Sequence, residues 1–307
     1  MRAATWSADE LAVRLSGRRY LVTGANSGIG RATVEALATR GATVYLACRD
    51  REKGQRAAQE IMAATGNPEV HLALLDVSVV SQVRRVAAQF AGIPLHGLVH
   101  NAGVLLAERE QTCEGIERTF ATNVLGPFLL TELLADSLSL GAKQSASASD
   151  PATSAEPARV VFVSSGGMYT QRLDLDDLQF GKTPFDGVAA YAQTKRAEIL
   201  LSERFAELLH PRNIVVNAMH PGWADTPGVA HSLPRFHKLL QGFLRDSAQG
   251  ADTIVWLLIA AAAKAHRGEF FFDRIPRRTH LPFLQTESSP REVERLFAYC
   301  HELLEKT

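Results

Sequence analysis

Short apolar segments alternate with longer amphipathic segments along most of the chain. Six short segments are rich in aliphatic and aromatic residues and lie between turn-forming residues, which predicts β-strands at 20–23, 43–47, 70–75, 98–100, 159–164 and 214–219. Between them, apolar residues recur at helical spacing, which predicts helices over 28–40, 51–65, 79–91, 117–139 and 188–210. The chain therefore consists mainly of repeated strand and helix units.

Strands that alternate with helices form a parallel sheet covered by helices on both faces. We therefore predict an α/β fold, a Rossmann-like doubly wound parallel sheet in a single domain, over residues 18–285. A length of 307 residues with 46% hydrophobic content is sufficient for one large core. Residues 1–17 form an N-terminal helical extension, since Ser7 and Glu10 have the spacing of a capping box. Residues 286–307 are assigned to a C-terminal helix.

Three further segments have distinctive compositions. Residues 141–158 are small, polar and contain proline, which indicates an exposed insertion. Residues 254–263 form an apolar run that is too short to cross a membrane and predicts a buried helix. Residues 227–246 follow the sixth strand and carry an apolar stripe at helical spacing, so we hypothesise a mobile lid, with an ordinary core helix as the alternative. The stripe consists of Phe236, Leu239, Leu240, Phe243 and Leu244.

The balance of charges excludes several classes of partner. The chain has 33 Lys plus Arg against 33 Asp plus Glu, so we expect no nucleic-acid partner and no basic membrane-binding surface. The three cysteines have neither disulfide nor zinc-site spacing, and we predict no metal. Asp9 and Glu10 argue against an organelle transit peptide, and no apolar run reaches the roughly 18 residues of a membrane span. We therefore expect a cytoplasmic protein with no transmembrane segment.

A glycine-rich turn connects the first strand to the first long helix. The spacing G-x-x-x-G-x-G lets backbone N–H groups approach a pyrophosphate at the positive end of the helix. A glycine-rich turn without a ligand is the alternative. The expected cofactor contacts are Gly24, Asn26, Ser27, Gly28, Ile29 and Gly30.

The residues after the second strand indicate which dinucleotide binds. An acidic residue at this position binds the ribose 2′-hydroxyl of NAD, whereas an arginine is suited to the 2′-phosphate of NADP. Cys48 occupies the expected position of the acid, and Arg49 follows it. We therefore predict NADP(H), with Asp50 as an alternative NAD-selecting residue.

Tyr191 and Lys195 are four residues apart in a strongly helical segment, so their side chains share one helix face. An unperturbed phenol has a pKa of about 10, and a neighbouring ammonium group lowers it by stabilising the phenolate. The pair is therefore suited to proton transfer, with Tyr191 as the acid/base. A pair at this spacing also occurs by chance on surface helices.

Two further polar residues are candidates for the same site. Ser165 follows the fifth strand, at the sheet edge where α/β folds bind ligands, and can donate a hydrogen bond to a carbonyl oxygen. Ser164 is the competing candidate. Pro127 has no N–H for the carbonyl of Asn123, which leaves that oxygen able to hold a water molecule, although a simple helix kink is the alternative.

In order and spacing, these motifs resemble the short-chain dehydrogenase/reductase family. The resemblance implies that the tyrosine is the acid/base and that the lysine also binds the nicotinamide ribose. It further implies that the serine orients the substrate and that the asparagine carbonyl holds a relay water. His100 stands where the family usually has asparagine. The resemblance covers residues 18 to about 275 and rests on Thr23, Gly24, Gly28, Ile29, Gly30, Asp76, Asn101, Ala102, Gly103, Asn123, Ser165, Tyr191, Lys195, Pro221 and Gly222.

The resemblance also implies cofactor contacts that the residues alone do not predict. Beside the adenine we expect Asp76 and Val77, and along the cofactor wall Asn101, Ala102 and Gly103. Beside the nicotinamide we expect Pro221, Gly222 and Thr226, together with Tyr191 and Lys195.

These expectations combine into one functional hypothesis and two alternatives. The hypothesis is NADP(H)-dependent hydride transfer to or from a small carbonyl or alcohol substrate. The long connection from Ser165 to Tyr191 is similar to that of the retinol-dehydrogenase group, which implies a lipophilic substrate. The family resemblance also implies a homo-oligomer packed through the helices that carry Asn123 and Tyr191. The alternatives are a nucleotide-binding sensor or scaffold with little turnover and a sugar-nucleotide epimerase, which the glycine spacing disfavours.

Overall fold

The computed structural model describes residues 6–146, 156–222, 245–281, 283 and 286–307. The strands are β1 (Arg19–Thr23), β2 (Thr43–Cys48), β3 (Val70–Leu74), β4 (Gly97–His100), β5 (Ala158–Val163), β6 (Ile214–Met219), β7 (Phe270–Phe272) and β8 (Ile275–Arg277). The α-helices are α1 (Ala8–Ala12), α2 (Gly28–Ala38), α3 (Arg51–Thr65), α4 (Val80–Ala88), α5 (Arg118–Phe120), α6 (Gly126–Ala146), α7 (Gly187–Leu209), α8 (Ser247–Ile259) and α9 (Pro290–Glu305).

One eight-stranded sheet forms the centre of the molecule, in the order β3-β2-β1-β4-β5-β6-β7-β8. Neighbouring strands are parallel except for β7 and β8, which are antiparallel. Buried side chains of α2, α3 and α8 pack on one face of the sheet, and those of α4, α6, α7 and α9 pack on the other. The predicted Rossmann-like, doubly wound α/β fold is confirmed.

The sequence analysis missed the last two strands. Each has only three residues, too few to show the alternation of a strand. The turn between them consists of Asp273 and Arg274, which both have positive φ angles, of 53° and 59°. Aspartate is common at the first position of such a turn, but the second usually holds glycine, so Arg274 removes the usual Asp-Gly hairpin signal from this sequence.

The helix predicted over 117–139 is divided into three parts. A π-helical turn, Ala121–Leu125, separates α5 from α6, and the N–H of Gly126 bonds the carbonyl of Ala121, five residues earlier. Pro127 follows immediately and cannot donate a backbone hydrogen bond, which favours an irregular turn here.

The predicted insertion at 141–158 is too long at both ends. Helix α6 continues to Ala146, with Gly141 and Ala142 buried, and Ala158 begins β5 as a buried residue. Tertiary packing of the first residues therefore outweighs their small and polar composition. Residues 147–155 lie outside the described residues.

One helical stretch in the described part of the chain, Arg118–Gln144, is long and apolar enough to cross a membrane. Within its most apolar window, 78% of the residues are buried inside the fold. Such burial is characteristic of a core helix, so this stretch is weak evidence for a membrane span.

Both terminal segments pack against the central domain. The predicted capping box of α1 is present between Ser7 and Glu10. The indole Nε1 of Trp6 donates to Asp252 at 2.7 Å, and that of Trp256 donates to Glu10 at 2.9 Å. Helix α1 is therefore fixed to α8. The predicted buried helix at 254–263 corresponds up to Ile259 to the C-terminal half of α8. Of the residues that follow, Ala260 and Ala263 are buried and residues 261–262 are exposed.

Helix α9 lies across α6 and α7. The ring of Phe297 lies 5.1 Å from those of both Phe128 and Phe205, and Tyr299 makes an edge contact with Phe120. The resemblance implies subunit contact through α6 and α7. Helix α9 occupies part of the surface of these two helices, while Leu133, Leu140 and Leu208 on them stay exposed. Subunit contact through α6 and α7 stays a prediction.

His100 is expected to make the protein sensitive to mild acid. Its Nε2 pairs with the Thr131 hydroxyl at 2.8 Å, and burial lowers the pKa of His100 from 6.5 to about 3. The unfolded chain binds a proton near pH 6.5, so the stability gained from neutral His100 is complete above that pH and is lost as pH falls towards 3. Between pH 7 and 4 this loss amounts to about 3 kcal/mol in the free energy of unfolding.

Urea unfolding of wild type and His100→Asn at pH 4, 5, 6 and 7 measures this dependence. The variant should lose less stability over this range than the wild type. His71→Asn, at an exposed position on β3, serves as the control and should keep the wild-type slope. Equal slopes for wild type and His100→Asn would contradict the assigned role.

Candidate active site

The glycine-rich turn is held by side chains at the ends of β1 and β4. The amide Nδ2 of Asn101 donates to the carbonyl oxygens of Thr23 at 2.9 Å and Gly24 at 3.1 Å. The hydroxyl of Thr23 accepts the N–H groups of Asn101 and Ala102 at 3.0 and 3.1 Å, and donates to the Val99 carbonyl. Asn101 therefore acts through its side chain to fix the turn, in addition to its predicted place on the cofactor wall.

Close backbone contacts explain why glycine occupies this turn. Gly24 has a φ of +63°, and a Cβ atom there would lie 2.8 Å from the Cα of Ala102. A Cβ at Gly30 would overlap the Asn101 amide and lie 2.5 Å from the Gly24 carbonyl oxygen. Gly28 also has a positive φ, of 54°. A side chain at these positions would push the chain out of the turn.

Helix α2 begins at this turn with its N-terminal N–H groups uncapped. Among the described residues, no side-chain hydrogen bond from Ser27 caps the helix, whereas Asp50 caps α3. Uncapped N–H groups at a helix N-terminus bind anions such as phosphate. The turn therefore fits the pyrophosphate of a dinucleotide, with Asn26 and Ile29 beside it in sequence.

The carboxyl end of β2 carries an exposed arginine and a carboxylate that already has partners within the chain. Arg49 is exposed immediately after the strand. The carboxylate of Asp50 accepts the N–H of Lys53 at 3.0 Å and pairs with its ammonium at 3.4 Å. The backbone hydrogen bond from Lys53 lowers the pKa of Asp50. The Asp50 carboxylate already caps α3. It is therefore less suited to bind the ribose 2′-hydroxyl of NAD than its position in the sequence indicated.

Asp76 and Val77 follow β3 at the same sheet edge. Asp76 accepts the N–H of Ser78 at 3.0 Å and its hydroxyl at 2.7 Å, so part of its carboxylate stabilises the local turn. Val77 is buried, and its carbonyl oxygen occupies the space that a Cβ at Gly126 would need. Their contacts with adenine stay predictions.

The side chain of Asn123 joins two elements of the site. Its Oδ1 accepts the N–H of Val104 at 2.9 Å, and its Nδ2 donates to the Val104 carbonyl and to the Thr194 hydroxyl. Asn123 is fully buried in the π-helical turn. It therefore holds the connection after β4 against α7, next to Lys195. The sequence indicated only its backbone carbonyl, and this role of the side chain was missed.

Tyr191 and Lys195 lie one turn apart near the start of α7, as predicted. The Lys195 Nζ lies 5.6 Å from the centre of the Tyr191 ring and donates to the Val163 carbonyl, at the end of β5, at 2.9 Å. A Cβ at Gly103 would lie 3.1 Å from the same Nζ. Lys195 is therefore enclosed by the tyrosine, the end of β5 and the predicted cofactor wall.

A buried carboxylate that the sequence analysis did not predict completes this cluster. Oε1 of Glu198 lies 2.7 Å from the Lys195 Nζ, and both side chains are buried. Burial raises the pKa of Glu198, and the Lys195 ammonium in direct contact with it opposes that shift. Burial alone would lower the pKa of Lys195, but the Glu198 carboxylate reverses that effect and raises it. The i, i+3 spacing was the available signal, but such pairs are common on surface helices.

The two serines after β5 have different partners. Ser164 is buried, and its hydroxyl donates to the backbone carbonyl of Lys195 at 2.7 Å. Ser165 is partly exposed, and its hydroxyl accepts the N–H of Gly167 at 3.2 Å. Ser164 therefore holds α7 against the sheet, and Ser165 is the better candidate to contact a substrate.

The segment after β6 begins with a fixed turn. The Nδ1 of His220 accepts the N–H of Gly222 at 3.2 Å, and its ring stacks on Phe272 at 4.3 Å. Burial lowers the pKa of His220 to about 4. Gly222 adopts a φ of +75°, and Pro221 lies between the two at the sheet edge.

The remaining predictions after β6 fall largely outside the described residues. Thr226 lies outside them, as does the proposed lid at 227–246 except for its last two residues. Of these, Arg245 forms an ion pair with Asp273, and Asp246 caps α8. The lid itself stays a prediction.

The described candidate residues follow the carboxyl ends of parallel strands, or lie on α7 and the π-helical turn that pack beside them. The arrangement can hold a dinucleotide along this sheet edge and place a phenol with a neighbouring ammonium beside it. Such a site is suited to moving a proton to or from an oxygen atom while a hydride is transferred.

Comparison with known proteins identifies the family. The sequence profile of the short chain dehydrogenase family matches residues 18–235 of this chain. Dehydrogenase/reductase SDR family member 12 of Bos taurus, which the sequence also resembles, is 45% identical over 96% of this chain and 89% of that protein. Retinol dehydrogenase 11 of Homo sapiens is 36% identical over 85% of this chain and 79% of that protein. A crystal structure of an uncharacterized Mycobacterium paratuberculosis protein superimposes with a TM-score of 0.74 at 25% identity, over 98% of both chains. The chain belongs to the short-chain dehydrogenase/reductase family, whose members are oxidoreductases that use nicotinamide cofactors.

Proposed function

We propose that the protein catalyses NADP(H)-dependent hydride transfer to or from a lipophilic carbonyl or alcohol substrate, with Tyr191 as the acid/base. The observation that carries this proposal is the position of the Lys195 ammonium, 5.6 Å from the Tyr191 ring at the carboxyl end of β5. A positive charge at this place stabilises the phenolate form that accepts the proton during oxidation.

Each residue has a distinct task in this mechanism. The turn at Gly24 and Gly30 holds the pyrophosphate, and the bound nicotinamide supplies or accepts the hydride. Tyr191 donates a proton to the substrate oxygen during reduction and removes it during oxidation. Lys195 stabilises the phenolate and binds the ribose, while Ser165 donates a hydrogen bond to the carbonyl oxygen as negative charge develops. The carbonyl of Asn123, which has no N–H partner at Pro127, is the proposed holder of a relay water.

The substrate class rests on the relatives. Retinol dehydrogenase 11, 36% identical, is named for a lipophilic alcohol, and we propose a substrate of that character here. Purified protein with NADPH should be tested against retinaldehydes, steroid ketones and medium-chain aldehydes by following the loss of NADPH absorbance. Turnover of at least one class supports the proposal. Tight NADPH binding without turnover of any class favours the alternative, a nucleotide-binding sensor or scaffold.

Arg49→Ala is expected to weaken NADPH binding by about 10- to 100-fold, because charge-assisted hydrogen bonds contribute about 1.5–3 kcal/mol. NADH has no 2′-phosphate, so its affinity should change little. Fluorescence titration of both cofactors measures the effect. Arg56→Ala, which removes an exposed arginine from α3, is the matched control and should bind both cofactors as wild type does. NADH binding as tight as NADPH binding in the wild type would contradict the cofactor assignment.

The proposal also includes a homo-oligomer in the cytoplasm. Because α9 packs on Phe128 of α6 and Phe205 of α7, subunits that meet through these helices would use their remaining exposed surface. Light scattering after gel filtration measures the mass of the assembly. A mass equal to that of the single chain would reject the oligomer without affecting the proposed reaction.

A further inference from the structure

The carboxylate of Glu198 contacts the lysine of the proposed catalytic pair directly. Tyr191, Lys195 and Glu198 follow one another along a single face of α7, at positions i, i+4 and i+7. The side chain of Glu198 is 1% exposed, and its Oε1 lies 2.7 Å from the Lys195 Nζ. Its second oxygen, Oε2, is buried without a hydrogen-bond partner among the described residues. A carboxylate in this position is costly to bury, so its presence requires an explanation.

The other groups around the pair do not replace Glu198 as a counter-charge. Glu198 and Tyr191 are the ionisable groups that act on the charge of Lys195 in the described part of the chain. His100, on the neighbouring strand β4, is neutral because burial lowers its pKa to about 3. Arg196 directs its guanidinium away, to Met168 and the carbonyl of Thr279.

The remaining contacts are uncharged. From β5, the backbone carbonyl of Val163 accepts a hydrogen bond from Lys195. The nearby amide of Asn123, on the π-helical turn, donates to the hydroxyl of Thr194, the residue before Lys195. A carbonyl dipole alone is a weak partner for a buried ammonium group. A lysine buried without a counter-charge can lose up to 3–5 units of pKa and become neutral near physiological pH.

We propose that Glu198 is a positioning residue that keeps Lys195 protonated and fixes its ammonium group beside Tyr191. The inference rests on the proposed function of the tyrosine and lysine pair. Without Glu198, the buried lysine would exist largely as the neutral amine at the pH of turnover. A neutral amine does not stabilise a phenolate, so Tyr191 would then be a poor acid/base.

Two electrostatic effects of Glu198 on Tyr191 oppose each other. If Glu198 mainly cancelled the field of a lysine that stays charged by itself, its removal would stabilise the Tyr191 phenolate. If Glu198 maintains the charge of the lysine, its removal destabilises the phenolate. The burial of Lys195 favours the second case. Without Glu198 the buried lysine would lose its charge, and the whole attraction to the phenolate would be lost with it.

NMR of protein labelled with carbon-13 at lysine Cε measures the titration of Lys195 directly. The chain has seven lysines, and the Lys195→Arg variant identifies the signal. In wild type the midpoint should lie above about pH 10.5, the usual lysine value, and in Glu198→Gln it should fall by about 3–5 pH units, into the neutral range. Glu207→Gln removes an exposed carboxylate from the same helix and should leave the midpoint unchanged. An unchanged midpoint in Glu198→Gln, or a wild-type midpoint below about pH 9, overturns the proposal.

Phenolate absorbance provides a second readout. The difference between each protein and its Tyr191→Phe counterpart isolates the titration of Tyr191, which should move to higher pH in Glu198→Gln. A shift to lower pH, or no shift, rejects the inference. Glu198→Met serves as a second variant should Glu198→Gln fail to fold, because it removes the buried charge and its unpaired oxygen together. Both measurements use the protein without substrate, so their results do not depend on whether the proposed hydride transfer occurs.

Discussion

Tyr191→Phe is expected to lower kcat by about 10³-fold, within the 10²–10⁴-fold range that acid/base catalysis contributes. The ring remains to pack on its neighbours, and only the hydroxyl that carries the proton is removed. The dissociation constant of NADPH should therefore change little, because the glycine turn and Arg49 bind parts of the cofactor remote from the phenol. Steady-state rates with the best substrate of the carbonyl panel and a direct NADPH titration measure the two effects separately.

Tyr169→Phe is the matched control for this prediction. Tyr169 lies in the short helical segment after Ser165, but its hydroxyl donates to the Arg278 carbonyl at 2.7 Å. Its removal should leave kcat near that of the wild type. Lys195→Ala should damage both turnover and cofactor binding, because the lysine serves both. A Tyr191→Phe protein that retained most of the wild-type rate would show that another group transfers the proton.

The sequence predicted those parts of the fold that depend on local pattern. Six strands and most of the helices between them were placed to within a few residues, because each buries a regular stripe or run of apolar side chains. The exception is the helix predicted to end at residue 139, which continues as α6 to Ala146. Strands β7 and β8 were missed because three residues carry no periodicity and their turn uses Asp273 and Arg274. The C-terminal helix was predicted, but its position was not, since the contacts of Phe297 with Phe128 and Phe205 join residues far apart in the chain.

The same distinction applies to the site. Glycine spacing and the tyrosine and lysine pair are visible as motifs because all their members lie on one turn or one helix face. The contacts that support them are long-range: Asn101 fixes the turn at Gly24, and Asn123 connects Val104 with Thr194. No local pattern encodes these hydrogen bonds. Glu198 is a different case, because its spacing from Lys195 is visible but its burial is not.

Gly187→Ala tests how closely α7 must approach the connection after β4. Gly187 is the first residue of α7, and a Cβ atom there would overlap the carbonyl oxygen of Leu106 and lie 3.0 Å from its carbonyl carbon. The contact is with backbone, which cannot rotate away as a side chain can. Helix and connection must therefore separate, at a cost of about 1–3 kcal/mol in the free energy of unfolding, the usual range for overpacking.

The separation would also reach the active site. Tyr191 lies one turn into α7, and Gly103, on the moving connection, lies beside the Lys195 ammonium. A displacement of about 1 Å at a reacting group can cost 10²-fold in rate, so kcat/KM should fall by at least about 10-fold. Urea unfolding and steady-state kinetics measure the two losses. Lost stability with unchanged kcat/KM would show that the helix end adjusts without moving Tyr191.

Gly181→Ala isolates the contact from the general effects of replacing glycine. At Gly181 the nearest atom to a new Cβ, Oδ1 of Asp177, is 3.7 Å away, an ordinary van der Waals distance. Both substitutions restrict the unfolded chain equally, which by itself stabilises a protein by about 0.4–1 kcal/mol. Alanine also favours helix over glycine, and only position 187 is helical, so Gly187→Ala should be the more stable protein unless the Leu106 carbonyl intervenes. Whether Gly187→Ala is more or less stable than Gly181→Ala therefore decides whether α7 and the connection after β4 are in backbone contact. A Gly187→Ala protein at least as stable as Gly181→Ala would mean that they are not.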